Sequence, residues 1–283
     1  MALSAPPSRS STAPASNAAP SSVASSPGRF AVSTGRVAGA QKVVIYGPGG
    51  IGKSTLASLA PRPVFLDVED STKRLDVARV SGLASWAELR ACLQSDALDA
   101  YGTIVIDSVT KAEELAVADT LARVRTDKKE TATSVESYGF GKGFQHVYDT
   151  FLHLLVECDR HVRAGRNVVF VAHACTSKVP NPGADDFIRW EPRLQTTKEG
   201  KASIRSRVVE WADHVLFIGY DVAVNDEGKG LGAGTRTIYT KETPTQIAKV
   251  REVGTRIDSR PYRDNADGSI WPLLLATAEG GAR

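Results

Sequence analysis

This sequence of 283 residues has few cysteines, no long apolar runs and no acidic residues near its N-terminus. The three cysteines are an odd number without a disulfide-framework pattern, so we expect a reducing compartment, the cytoplasm. No stretch approaches the roughly 18 consecutive apolar residues that cross a bilayer, which excludes a membrane protein. The 35 basic and 32 acidic residues nearly balance, so nucleic-acid binding would need a local basic surface.

The N-terminal segment has a composition of its own. Residues 1–28 contain nine serines, seven alanines and five prolines, and no acidic residue occurs before Asp67. The segment lacks the apolar region of a secretory signal, and its prolines oppose the amphipathic helix of a mitochondrial transit peptide. We therefore predict a disordered tail over residues 1–35 and one folded domain over residues 36–283.

From residue 41 onward, short β-branched runs alternate with helical patterns. The runs predict strands over residues 41–47, 63–67, 103–107, 167–172, 214–219 and 235–240. The helical patterns cover residues 54–59, 85–94, 110–125, 144–163 and 204–211. This alternation predicts an α/β fold whose mostly parallel sheet is covered by helices on both faces. We expect long loops over the polar segments 127–143, 175–200 and 221–234.

A phosphate-binding pattern lies between the first strand and the first helix. The segment GPGGIGKST matches G-x-x-x-x-G-K-[ST] in full, in the strand–loop–helix context that such a loop needs. Its backbone N–H groups would surround a phosphate, Lys53 would reach the β- and γ-phosphates, and the Ser54 hydroxyl would coordinate Mg²⁺. The residues predicted to bind ATP are Gly47, Pro48, Gly49, Gly50, Ile51, Gly52, Lys53, Ser54 and Thr55.

Acidic residues follow two of the predicted strands. Asp107 ends the apolar run TIVID and is the candidate magnesium ligand, although an aspartate there can also simply cap the next helix. The preceding strand ends with Asp67, Glu69 and Asp70, at the edge of the sheet where ligands of open α/β folds bind. One of these carboxylates can polarise the attacking water; alternatively, all three form a solvated turn.

The order of the motifs resembles that of RecA-like P-loop ATPases, and in particular the phage-encoded Sak single-strand-annealing group of nucleotide-binding AAA-type proteins. GPGGIGKST, FLDVED, TIVIDS, YGFGKGF, NVVFVAH and TPTQIAKVR occur in that order over roughly residues 38–260. Only the phosphate loop is specific by itself. One departure is that members commonly end soon after Ala-Lys-x-Arg, whereas this chain continues through Arg256, Arg260 and Arg263 to Trp271.

The resemblance implies roles for several residues. Glu69 matches the general base, and His173 matches the residue that senses the γ-phosphate, although a histidine at a strand end is often only structural. Lys249 and Arg251, in a late β-hairpin, match basic residues that enter the neighbouring subunit's ATP site; a solvated basic turn is the alternative. With Lys53, these four complete the predicted catalytic set.

The segment after His173 takes the place of the central DNA-binding loop of the RecA-like proteins. Basic groups that follow phosphates and aromatic rings that stack on bases are what single-strand binding requires. Acidic residues dilute the charge here, and a long exposed loop can be this polar for solubility alone. The candidate DNA-binding residues are Lys178, Arg189, Trp190, Arg193, Lys201 and Arg205.

The implied function is a Mg²⁺-dependent, DNA-stimulated ATPase that binds single-stranded DNA and assists homologous recombination or strand annealing. The implied partners are other copies of the chain in a ring or filament and a single-strand-binding protein, in the cytoplasm of a bacterial host if the protein is phage-encoded. Two alternatives stay open: a nucleotide switch such as a helicase loader, and a small-molecule P-loop kinase, for which the sequence offers no compact Arg-rich lid.

Overall fold

The computed structural model describes residues 32, 34, 37, 39–181, 183, 185–197, 200–224, 230–251 and 257–275, with side chains for all of these except 222–224 and 230–233. The chain divides into two units, Met1–Val37 and Ala38–Arg283. Apart from residues 32 and 34, the predicted tail over residues 1–35 lies outside the described residues. Arg256 of the predicted C-terminal extension also lies outside them.

Strands and helices alternate through most of the second unit. The described strands are β1 (Lys42–Gly47), β2 (Pro63–Asp67), β3 (Ala78–Val80), β4 (Thr103–Asp107), β5 (Asn167–Val179), β6 (Phe187–Pro192), β7 (His214–Val224), β8 (Gly230–Tyr239), β9 (Lys249–Val250) and β10 (Arg260–Pro261). The described helices are α1 (Lys53–Ser58), α2 (Trp86–Gln94), α3 (Val109–Arg123), α4 (Lys142–Arg163), α5 (Ile204–Trp211) and α6 (Trp271–Leu274).

The sheet has a parallel centre and antiparallel additions. Its strand order is β10-β8-β7-β1-β5-β4-β2-β3, and the pairs from β7 through β3 are all parallel. The strands β8, β9 and β10 add antiparallel pairs beyond β1, and β6 pairs with the outer half of β5. The α/β prediction, with a RecA-like P-loop core, is confirmed by this topology.

Helices cover both faces of the sheet, as the sequence predicts. Alternate strand residues such as Val44 and Phe170 face a core built with α2, α3, α4 and α5. Their neighbours Val43 and Val169 face a second core built with α1 and α6. The apolar runs are continuous because each central strand is buried on both sides.

Two of the expected loops are wrong, because strands continue through them. Strand β5 runs to Val179 and returns as β6 in a hairpin whose register pairs Cys175 with Glu191, within the expected loop 175–200. Strands β7 and β8 likewise extend into the expected loop 221–234. The β5–β6 extension carries no continuous apolar run because it leaves the buried centre of the sheet, so hydrophobic patterning missed it.

Candidate functional site

The phosphate loop joins β1 to α1 at the carboxyl edge of the sheet. Gly50 and Gly52 have φ angles of +72° and +103°, in the region that favours glycine. A β-carbon on Gly47 would lie 2.4 Å from the Ile218 carbonyl oxygen, and one on Gly52 would lie 2.8 Å from Nη1 of Arg236. The loop therefore keeps its path only with glycine at these positions.

Lys53 is buried at the start of α1. Its Nζ donates a hydrogen bond to the Pro48 carbonyl at 2.8 Å, so the side chain folds back across the loop. Burial lowers the pKa of the ammonium, while the carboxyl groups of Asp107 and Glu69 act in the opposite direction. A cation held beside this loop suits a site for an anionic ligand.

Asp107 and Ser54 lie together, as predicted. The Ser54 hydroxyl is hydrogen-bonded to the Asp107 carboxyl, and burial raises the pKa of Asp107 to about 6. The carboxylate atom Oδ2 is buried and has no hydrogen-bond partner among the described residues. An unpartnered buried oxygen beside a serine hydroxyl is the hard oxygen donor set that Mg²⁺ takes, so these residues fit a magnesium ion.

Glu69 connects the ends of β2 and β4 with the middle of β5. It lies just after β2, and its Oε1 accepts a hydrogen bond from the Ser108 hydroxyl, directly after β4. The same oxygen is 3.0 Å from Nε2 of His173, on β5. Both side chains are partly exposed, at 25% for Glu69 and 33% for His173, so water and ligands can reach the pair.

Asp67 has a different role from Glu69, although both belong to the same acidic segment. Its carboxylate is buried and accepts hydrogen bonds from the backbone N–H groups of Ser71 and Thr72, at 2.9 and 3.1 Å. The Thr72 hydroxyl also donates to it. Asp67 therefore holds the turn after β2, while Glu69 faces the site.

His173 links the site to two other elements through its backbone. Its N–H donates to the Thr110 hydroxyl on α3 at 3.1 Å, and its carbonyl accepts from the Arg193 N–H at 2.8 Å. Arg193 lies just after β6, so the part of β5 beside Glu69 is bonded directly to the end of the β5–β6 hairpin.

Lys249 and Arg251 lie away from the phosphate loop of their own chain. Lys249 Nζ donates to the Val209 carbonyl at 2.6 Å, and burial lowers its pKa. The Arg251 guanidinium is 59% exposed and its Nη1 is 2.8 Å from Oδ1 of Asp213. Since β9 pairs with the first residues of β7, both residues belong to the amino edge of the sheet.

Three of the candidate DNA-binding residues are paired with carboxylates. Arg189 and Arg205 share the buried Glu191, and Arg189 also contacts Glu242. Lys178 pairs with the more exposed Asp186 at 2.9 Å. The two arginines therefore hold the hairpin together, and a nucleic acid would have to compete with a buried carboxylate for them.

The other three candidates have different surroundings. Trp190 is 38% exposed and stacks on Phe217, with the ring centroids 5.9 Å apart. Arg193 and Lys201 are exposed, and Lys201 lines a surface groove. The six predicted residues thus differ in their exposure and in their pairing with carboxylates.

The sequence patterns missed the contacts that β8 and the C-terminal segment make with the phosphate loop and α1. Nη1 of Arg236, on β8, donates to the Ile51 carbonyl at 2.7 Å, and its guanidinium lies over the Tyr262 ring at 4.5 Å. The buried Trp271 donates from Nε1 to the Leu56 carbonyl at 2.9 Å. The sequence shows that the chain continues to Trp271 beyond the last motif, but no motif marks the contacts of Arg236, Tyr262 or Trp271.

A family model described as an AAA domain matches residues 39–252. The chain belongs to the AAA domain family. Among curated proteins, none matches this AAA domain protein. Within the described residues, the AAA domain protein has no helix with the length and apolarity needed to span a membrane.

Solved structures provide two comparisons. A KaiC-like protein from Pyrococcus horikoshii OT3 is 13% identical to this AAA domain protein; the match covers 81% of this chain and 89% of that one, with a TM-score of 0.44. The flagellar accessory protein FlaH from Methanocaldococcus jannaschii is 8% identical, over 80% of this chain and 86% of that one, with a TM-score of 0.40.

Proposed function

We propose that this AAA domain protein is a Mg²⁺-dependent ATPase that is stimulated by single-stranded DNA and assists homologous recombination or strand annealing. The observation that carries the proposal is the Glu69–His173 pair, because it joins a candidate catalytic carboxylate to the strand that continues into the β5–β6 hairpin. We further propose, from the motif order, a kinship with the phage-encoded Sak annealing proteins.

The phosphate loop and Lys53 would bind the ATP phosphates, with Ser54 and Asp107 holding Mg²⁺. The ion would supply positive charge to the β- and γ-phosphate oxygens. Lys53 adds a fixed charge beside the same loop, and its partner, the Pro48 carbonyl, is an acceptor that a phosphate oxygen can replace. The hydrogen bond between Ser54 and Asp107 keeps the two proposed ligands together at the carboxyl edge.

Glu69 would act as the general base. Its carboxylate takes a proton from water as the water oxygen attacks the γ-phosphorus, and the bond to the β–γ bridging oxygen breaks, which releases ADP. The hydrogen bond from Ser108 orients the carboxylate, and His173 would exchange its contact with Glu69 for one with the γ-phosphate. A positioned base of this kind contributes about 100- to 10,000-fold in rate.

The backbone of His173 supports a connection between hydrolysis and DNA. A shift of this residue would act on Thr110 of α3 and on Arg193 after β6, since both are hydrogen-bonded to it. DNA that stabilises one conformation of the segment after β6 would act on His173 through Arg193. It would thereby favour one orientation of Glu69, which contacts His173. Partner copies of the chain and a single-strand-binding protein complete the proposed assembly.

The test is ATP hydrolysis by the purified protein with and without a single-stranded oligonucleotide, at low and moderate salt. We expect stimulation that weakens with salt, because phosphate contacts release counterions. Lys53→Ala is the blank. Hydrolysis that depends on Lys53 but ignores DNA would overturn the proposal in favour of a nucleotide switch, and phosphate transfer to a metabolite would indicate a kinase.

A further inference from the structure

Phe140 is the most exposed large apolar side chain among those described. Its ring is fully exposed, and its backbone has a φ of +47°, which is unfavourable for a residue with a β-carbon. Gly139 and Gly141, on either side, have φ angles of +68° and +73°. Three consecutive residues with positive φ thus direct a large aromatic ring away from the protein, where none of the described residues buries it.

A groove adjoins this ring. It has a volume of about 720 Å³, and we call it the Phe140 groove. One wall lies at the start of α4, between residues 140 and 145, and the other lies before α5, at residues 196, 197, 201 and 202. Its described lining carries two lysines, two threonine hydroxyls and an amide but no carboxylate. The lining side chains that matter here are Phe140, Lys142, Gln145, Thr196, Thr197 and Lys201.

The two walls are tied together from behind. The Gln195 side-chain amide donates to the Phe144 carbonyl at 2.9 Å and to the Ala202 carbonyl at 2.8 Å. On the Phe140 side, a β-carbon on Gly143 would lie 1.9 Å from the Val135 carbonyl oxygen, so the chain is closely packed just behind the exposed ring. The groove is therefore preorganised, so binding does not have to pay the entropy cost of fixing its two walls.

The lining chemistry selects among classes of occupant. An apolar peptide offers no anionic group to the two lysines, and carboxylates alone offer no flat surface to the Phe140 ring. A single strand offers flat bases for an aromatic ring and phosphates for lysines, which is the combination that this groove presents.

The ion pairs at the two surfaces favour the groove over the β5–β6 hairpin. Lys142 pairs with Asp127 at 2.7 Å, and both side chains are about half exposed or more, so the pair contributes little to stability and a phosphate can replace the carboxylate. In the hairpin, Arg189 and Arg205 are paired with the buried Glu191. Drawing either arginine away would leave the buried Glu191 carboxylate with only one of its two charged partners, which is costly.

We propose that the Phe140 groove holds single-stranded nucleic acid, with one base stacked on Phe140 and the phosphates along the lysine-bearing walls. This inference rests on the proposed function and names the surface that the strand contacts. Gln195 lies two residues after Arg193, whose N–H is bonded to the His173 carbonyl. A strand in the groove therefore lies against the segment that leads back to Glu69.

The test compares Phe140→Ala and Phe140→Trp with the wild-type protein in fluorescence anisotropy of a labelled oligothymidylate. Loss of one stacked base predicts about 5- to 150-fold weaker binding for Phe140→Ala, while Phe140→Trp keeps or improves the affinity. Ile188→Ala is the matched control, because Ile188 is an exposed apolar residue of the hairpin, and we expect no change. ATP hydrolysis without DNA should be the same in all four proteins.

A second readout locates the strand directly. Oligothymidylate added to the Phe140→Trp protein should quench tryptophan fluorescence beyond the quenching seen in the wild type, because a base stacks on the introduced indole. Equal DNA affinity in wild type and Phe140→Ala would overturn the groove assignment but leave DNA-stimulated hydrolysis standing. A change in oligomer mass with unchanged DNA binding would instead identify the groove as a contact between copies. No DNA binding by the wild type would overturn the proposed function as well.

Discussion

Two carboxylates of one short acidic segment have different partners, and the partners determine what each can do. Asp67 is buried and accepts three hydrogen bonds from the turn that follows it. Glu69, two residues later, lies partly exposed between Ser108 and His173. A carboxylate whose oxygens hold a turn has little freedom to take a proton from water, whereas one that shares a hydrogen bond with a histidine near the phosphate loop can do so.

Glu69→Gln should therefore bind ATP as the wild type does but hydrolyse it at least about 100-fold more slowly, because the amide retains the shape of the side chain and loses its basicity. Nucleotide titration and steady-state hydrolysis separate the two effects. Asp70→Asn is the matched control, since Asp70 is an exposed carboxylate of the same segment, with a φ of +53° that asparagine tolerates. If Glu69→Gln hydrolyses ATP at the wild-type rate, Glu69 is not the general base and only forms part of the turn after β2.

At the scale of elements, β8 and the segment after the matched family domain lie behind the phosphate loop. The peptide group between Ile51 and Gly52 is planar, so its carbonyl and N–H point in opposite directions. Arg236 binds the Ile51 carbonyl on one side, which leaves the Gly52 N–H facing the other side. Tyr262 and Trp271, both buried, fix this arrangement against α1.

We expect Arg236→Met to raise the KM for ATP about tenfold while kcat changes about twofold or less, since a hydrogen bond from a charged group is worth roughly 1.5–3 kcal/mol. The apolar stem of methionine keeps the packing on Tyr262. Steady-state kinetics measure both constants, and thermal unfolding confirms that the variant is folded. Arg260→Met is the control, because Arg260 bonds Ser269 instead of the loop. An unchanged KM would show that the Ile51 carbonyl needs no such support.

Elements differ in how well the sequence predicts them, and burial is the reason. Strands β2 and β4 coincide with their predicted bounds, since an apolar run buried on both faces is visible without knowing its neighbours. The outer half of β5 and the strand β6 are only partly buried and mix polar with apolar residues, so the same reasoning predicts a loop. The bond from Arg236 to Ile51 joins residues 185 positions apart, and no local pattern encodes it.

At the scale of the whole molecule, the sheet has two chemically distinct edges. The phosphate loop, Asp107 and His173 occupy the carboxyl edge, whereas Arg251 lies at the amino edge, where its N–H bonds the Asp213 carbonyl beside the start of β1. Strand β1 alone separates Lys42 from Gly47 by about 16 Å, at roughly 3.3 Å per residue. Arg251 therefore cannot reach the ATP site of its own chain without leaving the sheet.

A head-to-tail assembly would bring the amino edge of one copy to the carboxyl edge of the next, which is the geometry of rings and filaments. Of the two predicted basic residues, Arg251 is better suited to act across such a contact. Its guanidinium is 59% exposed, and its largely buried partner Asp213 also accepts a hydrogen bond from the Lys42 N–H at 3.0 Å, which remains if Arg251 turns to a phosphate. Lys249 is half-buried and its Nζ is already bonded to the Val209 carbonyl at 2.6 Å, so it is held against its own chain.

We therefore expect Arg251→Ala to bind ATP but lose most hydrolysis, Lys249→Ala to keep most of it, and the exposed control Arg263→Ala to resemble the wild type. The decisive measurement mixes Arg251→Ala with Lys53→Ala, each inactive alone. Equal amounts should recover roughly a quarter of the wild-type rate, because random head-to-tail pairing gives half of the intact ATP sites a neighbour with Arg251. Excess Lys53→Ala should raise the rate per intact site further. A mixture as inactive as its components would place the role of Arg251 within its own chain, in the Asp213 contact, and would remove the reason to assign it to a neighbouring site.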